Sequence, residues 1–153
     1  MTQRIDYGKA SPEGYKGFGN VHTYLHNCSL PTELINLVYL RISQINGCAY
    51  CIDKHSRDLV KGGLSVDKLV MVPAWEEAGA LFSARERAAF AWAESLTLVA
   101  ETGIPDSDFK AASAEFNEKE LADLSYAIAL MNALNRLGIS ARKTPAVVAN
   151  LKK

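Results

Sequence analysis

Cys48, Cys51 and His55 fall within eight residues of one another, at the end of the run Arg41-Ile42-Ser43-Gln44-Ile45-Asn46-Gly47-Cys48-Ala49-Tyr50-Cys51-Ile52-Asp53-Lys54-His55. These residue types at this spacing suit thiol–disulfide chemistry. Residues three and four apart share one face of a helix. A helix starting near Cys48 therefore brings the two sulfurs within disulfide reach after small side-chain rotations. It also sets His55 one turn beyond Cys51. A free thiol is mostly protonated at neutral pH, and a helix N-terminus or a neighbouring imidazole stabilises its anion. The helix start favours Cys48; the imidazole favours Cys51. The activated thiolate attacks a peroxide to give a sulfenic acid, and the second Cys condenses with it to a disulfide. An external dithiol or thiol reductant resets the pair by exchange. No bound cofactor is needed.

A metal site is the rival reading. Cys48, Cys51 and His55 are acceptable zinc ligands, with His22, His26 or Cys28 as a fourth. Three ligands on one short helix rarely surround a metal tetrahedrally, however. His22 and His26, one turn apart, read more simply as a partly exposed helix face. Cys28, just before Ser29-Leu30-Pro31, reads as a turn or packing residue. Glu76 and Glu77 read as a helix start rather than a catalytic dyad. The sequence holds no Gly-rich phosphate loop and no Gly-x-Ser-x-Gly elbow.

The elements that must position the cysteines are helices, since alternating strand patterns are nearly absent. A first helix is expected from about Tyr15 to His26. A second opens at Pro31-Thr32, carries Leu34, Leu37, Val38, Arg41, Ile42 and Ile45 at helical spacing, and ends at Gly47. A third begins around Cys48 and stops at Gly62-Gly63. Ser65 with Lys68 starts a short turn before Pro73. Ser83-Ala84-Arg85-Glu86 is a capping box. It opens an alanine-rich helix with Trp92, Leu96 and Val99, expected to end near Gly103. Pro105 marks the first position of the next helix. Asn117 with Glu120 caps a long run through Leu137, expected to stop at Gly138. The tail from Ser140 to Lys153 has no clear pattern. The expectation is an all-α fold: residues 1–153 as a single compact domain of about six to eight helices. The run from Asn117 to Leu137 is apolar around much of its circumference, which suits a central core helix or one covered by a neighbouring subunit.

The 153 residues suffice for one real core, and a hydrophobic fraction of 48% with 22% charged residues is ordinary for a globular chain. Seventeen basic residues balance seventeen acidic ones, which leaves no charge footprint for nucleic acid or an anionic membrane. No apolar stretch is long enough to span a bilayer. Met1 to Gly8 include Arg4 and Asp6 and do not read as a secretory signal, so a cytoplasmic protein is expected. In a reducing compartment, closely spaced cysteines are catalytic or metal-binding more often than structural.

At these residues the sequence resembles the alkylhydroperoxidase D-like (AhpD-like) branch of the carboxymuconolactone decarboxylase superfamily. The resemblance rests on Leu37 to Asp58, with its Cys-x-x-Cys-x-x-x-His. Trp75-Glu76-Glu77-Ala78, Glu86 to Glu94, and Asn132-Ala133-Leu134-Asn135-Arg136 support it. It implies an all-helical fold, a dithiol peroxidase site acting on hydroperoxides, and a homo-oligomer, trimer or hexamer. It also implies roles: Cys51 as the peroxide-reacting thiol, Cys48 as the resolving one, His55 in a proton relay. Two positions depart from the family pattern. Where the family usually carries a relay Glu, twelve residues before the first Cys, this chain has Asn36. Glu33, one turn earlier, is a candidate substitute. Where some members carry a His inside the Cys-x-x-Cys, this chain has Tyr50, a poor base at neutral pH. General-base help is typically worth about 10²–10⁴-fold. The alternative reading is therefore a redox-sensing or thiol–disulfide exchange oligomer with little peroxidase turnover.

Overall fold

The computed structural model of the chain describes residues 2–151, and among them helices and turns alone are formed. Met1, Lys152 and Lys153 lie outside the described residues, the last two being the end of the tail read as unpatterned. The helices are α1 (Tyr7–Ala10), α2 (Pro12–His26), α3 (Thr32–Asn46), α4 (Ala49–Lys61), α5 (Val66–Met71), α6 (Ala84–Thr97), α7 (Val99–Thr102), α8 (Asp106–Glu115), α9 (Glu118–Ala141) and α10 (Ala146–Asn150). Seven of them have six or more residues, matching the expected number; α1, α7 and α10 are single-turn additions. No helix among the described residues is long and apolar enough to cross a membrane.

The centre is α3. Its Leu37, Val38 and Ile42 are fully buried, and it packs on α4, α6 and α9. Two apolar clusters flank it. One holds Leu37 and Leu40 with Leu59, Val72, Trp75, Phe82 and Phe90. The other holds Val38 and Ile42 with residues of α2, α6, α8 and α9, and it includes Cys48 and Cys51. Each such buried aliphatic side chain stabilises the fold by about 1.5–3 kcal/mol. The cysteines thus sit against a wall that is densely packed on both sides of α3. The long α9 packs on α2, α3, α6 and α8, with Leu124, Ala127 and Ile128 inward and Tyr126 and Ile139 exposed.

Local signals account for most boundaries. Gly47 adopts the left-handed conformation (φ 71°) that closes α3 and turns the chain into α4. Ser83 accepts from the Glu86 amide at 3.2 Å while the Glu86 carboxylate accepts from the Ser83 amide at 2.8 Å. Asn117 and Glu120 repeat the arrangement at 2.9 and 3.1 Å.

Several expectations are corrected. The first long helix starts at Pro12, earlier than Tyr15, because Pro suits a first turn whose amide has no partner. The helix capped by Ser83 breaks at Leu98, and α7 carries the chain to Gly103. Pro105 lies just outside α8 as its N-cap, not inside it. Glu76 and Glu77 do not start a helix; they lie exposed in a turn between two 3₁₀ segments, Val72–Ala74 and Gly79–Leu81. Gly138 does not stop α9, which runs on to Ala141 and ends at left-handed Arg142. Within the tail, α10 docks on α4 through the Val147 amide, which donates to Asp53 at 3.2 Å.

Candidate active site

Cys48 is the N-cap of α4, and Cys51 stands in its first turn. Both thiols are free, and Cys48 is 1% and Cys51 6% exposed. The Cys51 thiol donates toward the Cys48 sulfur. That interaction, helped by the amides of Cys51 and Tyr50 at the helix start and by the Asn135 side chain, lowers the Cys48 thiol to about 7 against the opposition of burial. Acting as the donor, together with burial, pushes the Cys51 thiol well up. The two sulfurs therefore titrate as a pair, losing a first proton near neutrality. Of the two placements suggested by spacing, Cys48 prevails: it accepts from the Cys51 thiol and, as an N-cap atom, also faces unpaired amides.

Cys51 faces outward where Cys48 does not. It lines a cleft of about 620 Å³, together with His55, Tyr50, Phe18, Leu134 and Lys143. The residues ahead of α2 form one wall of it, held by the Arg4 amide donating to Ala141 O at 2.8 Å and by Tyr7 Oη against Ser140 Oγ at 3.2 Å. Lys143 lies 4.0 Å over the Tyr50 ring, so Tyr50 acts here as an aromatic platform for a cation.

His55 is buried one turn beyond Cys51 on α4. Burial, then the Lys54 charge, lowers it to about 4, so the imidazole is neutral at pH 7 and able to accept a proton. Its Nδ1 lies 3.1 Å from Asn36 Oδ1. Asn36 Nδ2 donates to Thr32 O at 3.1 Å, which leaves Oδ1 to accept from the imidazole. Nδ1 therefore carries the hydrogen and Nε2 the lone pair. The Tyr39 ring packs beside the imidazole at 5.1 Å. Asn36 thus orients His55, as an amide can. Glu33 does not join it: half exposed, its carboxylate faces Lys68 at 3.8 Å instead. Among the described residues no three His, Cys, Asp or Glu side chains come together as metal ligands, and His22 and His26 are exposed on α2.

Two further residues shape the site. Asn135 of α9, fully buried, donates to Ser43 Oγ at 3.1 Å and accepts from Asn46 at 3.0 Å, which holds its amide beside the sulfurs. Gly138 lets α9 pass close to them: a Cβ there would lie 3.3 Å from Cys48 Sγ and 3.9 Å from Cys51 Sγ. For Asn135 the signal available in the sequence was an amide within an apolar helical run. Gly138 carried no such signal, since a glycine after an apolar run reads as a helix stop.

The model of the carboxymuconolactone decarboxylase family matches residues 12–95, more than half of the chain, and spans α2 to α6 with the whole cysteine segment. The chain belongs to this family. Within the carboxymuconolactone decarboxylase family its features are AhpD-like. An uncharacterised protein of Bacillus subtilis, YdfG, is 32% identical over 92% of this chain and 95% of its own. Another, YnjA of Escherichia coli, is 33% identical over 72% of this chain and 59% of its own. A crystal structure from Agrobacterium tumefaciens superposes at a TM-score of 0.90 with 35% identity, covering 94% of this chain and 98% of that one. That protein is of unknown function, with a provisional assignment as the antioxidant defence protein AhpD. The debrominase Bmp8 shares the fold at a TM-score of 0.77 and 18% identity, over 90% of this chain and 73% of its own.

Proposed function

We propose that this family member is a dithiol peroxidase that reduces hydroperoxides through Cys51, Cys48 and His55. The observation that carries the reading is that Cys51 and neutral His55, one turn apart, face the same cleft while Cys48 lies behind Cys51 at the helix start. The buried imidazole is too weak a base to ionise this raised thiol outright, so His55 Nε2 draws the Cys51 proton away from Cys48 only as the sulfur attacks one peroxide oxygen. The S–O bond forms, the O–O bond breaks, and the alcohol leaves with that proton. Cys51 is then a sulfenic acid. The Cys48 thiolate attacks its sulfur, a disulfide forms, and water departs. An external dithiol, oxidised in turn, restores both thiols. A reducing cytoplasm and a trimeric or hexameric assembly belong to the same proposal.

One equivalent of cumene hydroperoxide should consume two thiols per chain together. Cys48→Ser should leave a sulfenic acid on Cys51, detectable by dimedone labelling. Turnover surviving in Cys51→Ser overturns the reading. The second reading, a redox-responsive dithiol that reacts once and exchanges slowly, is favoured by Asn36, whose amide orients His55 but cannot take its proton. Turnover with added dithiothreitol separates the two.

A further inference from the structure

His55 lies between two clefts. The first, described above, holds Cys51. The second, of about 530 Å³, holds Asn36, Asp58, Tyr39, His26 and Lys61; His55, His22 and Lys54 border both. Cys51 is absent from the second cleft and Asp58 from the first. The imidazole is turned so that Nδ1 faces the second: Asn36 Oδ1 is at 3.1 Å and Asp58 Oδ2 at 4.0 Å. Asp58 lies three residues after His55, hence on the same face of α4, and its carboxylate is held by Lys54 at 2.7 Å.

We propose that Asp58 takes up and returns the Nδ1 proton of His55 from the far cleft while Nε2 carries a proton from Cys51 to the leaving oxygen, a part the Asn36 amide is unable to take. The inference rests on the dithiol reading above. When Cys51 gives its proton to Nε2, the imidazole becomes a buried cation, which this site disfavours. Asp58 offsets that charge and accepts the Nδ1 proton, after a side-chain rotation that closes the 4.0 Å gap. The imidazole is then neutral again, with the hydrogen on Nε2. That hydrogen goes to the departing alkoxide as the O–O bond breaks, and Nδ1 recovers its hydrogen from Asp58. No proton is gained or lost overall. Asp58 touches no reacting atom, so it is a positioning and relay residue, not a catalytic one. The Glu33 carboxylate, turned toward Lys68, is excluded from this part by its direction.

The test compares wild type, Asp58→Asn, and Asp58→Asn with Asn36→Glu, the last returning a carboxylate to the imidazole from α3. Single-turnover disulfide formation with cumene hydroperoxide is followed from pH 5 to 9. In parallel, iodoacetamide alkylation at Cys51 is read by peptide mass spectrometry. The titratable groups around His55 are Tyr15, His22 and His26 from α2, Tyr39 from α3, Tyr50, Cys51, Lys54, Asp58 and Lys61 on α4, and Asp6, Tyr7 and Lys143 across the first cleft. All of them except Asp58 are the same in the three proteins. Asp58→Asn should slow both reactions by about 10- to 100-fold, a part of what positioned proton transfer contributes. It should also change the shape of the pH profile, and Asn36→Glu should restore most of the rate. An Asp58→Asn rate within twofold of wild type at every pH overturns the relay. So does a loss that Asn36→Glu leaves unrepaired, because that marks a structural role. If the wild type forms no disulfide with peroxide, the peroxidase reading falls by itself; the alkylation rates at Cys51 still decide the place of Asp58.

Discussion

At the scale of single residues, the site sets a neutral imidazole against an ionisable sulfur pair, and both states have measurable consequences. Burial lowers His55 from 6.5 to about 4. The unfolded chain then binds a proton at a pH where the folded chain does not. Stability is complete above pH 6.5 and declines as the pH falls toward 4, by about 3 kcal/mol in total. His55→Leu has no such proton to take up. Its unfolding free energy in urea should drop less between pH 7 and pH 4.5 than that of the wild type, by about 2–3 kcal/mol. Equal pH sensitivity in the two proteins would show that burial does not hold the imidazole neutral. The sulfur pair depends on Asn135. Asn135→Leu removes an amide from the Cys48 anion and leaves Ser43 and Asn46 short of a partner. The alkylation midpoint of Cys48 should move upward from about 7, and the fold should lose about 1–3 kcal/mol. An unmoved midpoint would mean that the Cys51 thiol and the helix start set the Cys48 thiol without help from Asn135.

At the scale of helices, glycine has opposite meanings in α2 and α9. Gly17 lies inside α2 with no atom within 4 Å of an added Cβ, so Gly17→Ala should stabilise the fold by about 0.5–1 kcal/mol. Gly138 also lies inside a helix, but an added Cβ would press on Cys48 Sγ at 3.3 Å. Crowding in a packed core typically costs about 1–3 kcal/mol, more than the helix gain of about 1 kcal/mol. Gly138→Ala should therefore lower the thermal midpoint and slow disulfide closure, whereas Gly17→Ala raises the midpoint and leaves closure alone. A higher midpoint in Gly138→Ala would show that the sulfurs have room to spare. The same pair marks what sequence can reveal. Gly47, Ser83 and Asn117 act on amides within four residues, so their effects were readable from spacing alone. The Cys48–Cys51–His55 run was readable for the same reason, since all three lie along a single helix. Gly138 looked like a stop because its reason lies ninety positions away, in the sulfur of Cys48. Asn135 was quoted for the resemblance, but its bond to Ser43 crosses from α9 to α3, and periodicity does not record such contacts. The substitution of Asn36 for a carboxylate was visible; that Glu33 turns to Lys68 and Asp58 to His55 was not.

At the scale of the whole molecule, the cleft is built from parts of the chain that are far apart in sequence. α4 supplies the chemistry, α2 and α9 two walls, and residues 3–8 the remaining side. This last wall is the least secured. Ile5 is 39% exposed, and the segment is tied to the end of α9 by the Arg4 amide and Tyr7 Oη. Nothing in α3 or α4 depends on it, since both central clusters are formed without these residues. Deletion of residues 2–8 should therefore leave the fold and the sulfur pair intact while opening one side of the cleft. On the proposed peroxidase reading, small and large peroxides should respond differently. In that reading hydrogen peroxide needs only Cys51 and His55, so its kcat/KM should change less than about twofold. A bulky aryl hydroperoxide would in addition pack on the cleft wall that Ile5 and Tyr7 line, so without them its KM should rise about tenfold, equivalent to about 1.4 kcal/mol of binding. Steady-state kinetics with hydrogen peroxide and cumene hydroperoxide, each with dithiothreitol as reductant, make the comparison. An equal fall for both would mean that the segment supports the site itself. No change for either would mean that the substrate enters and binds without touching this wall, and that the α2 and α9 faces alone select it.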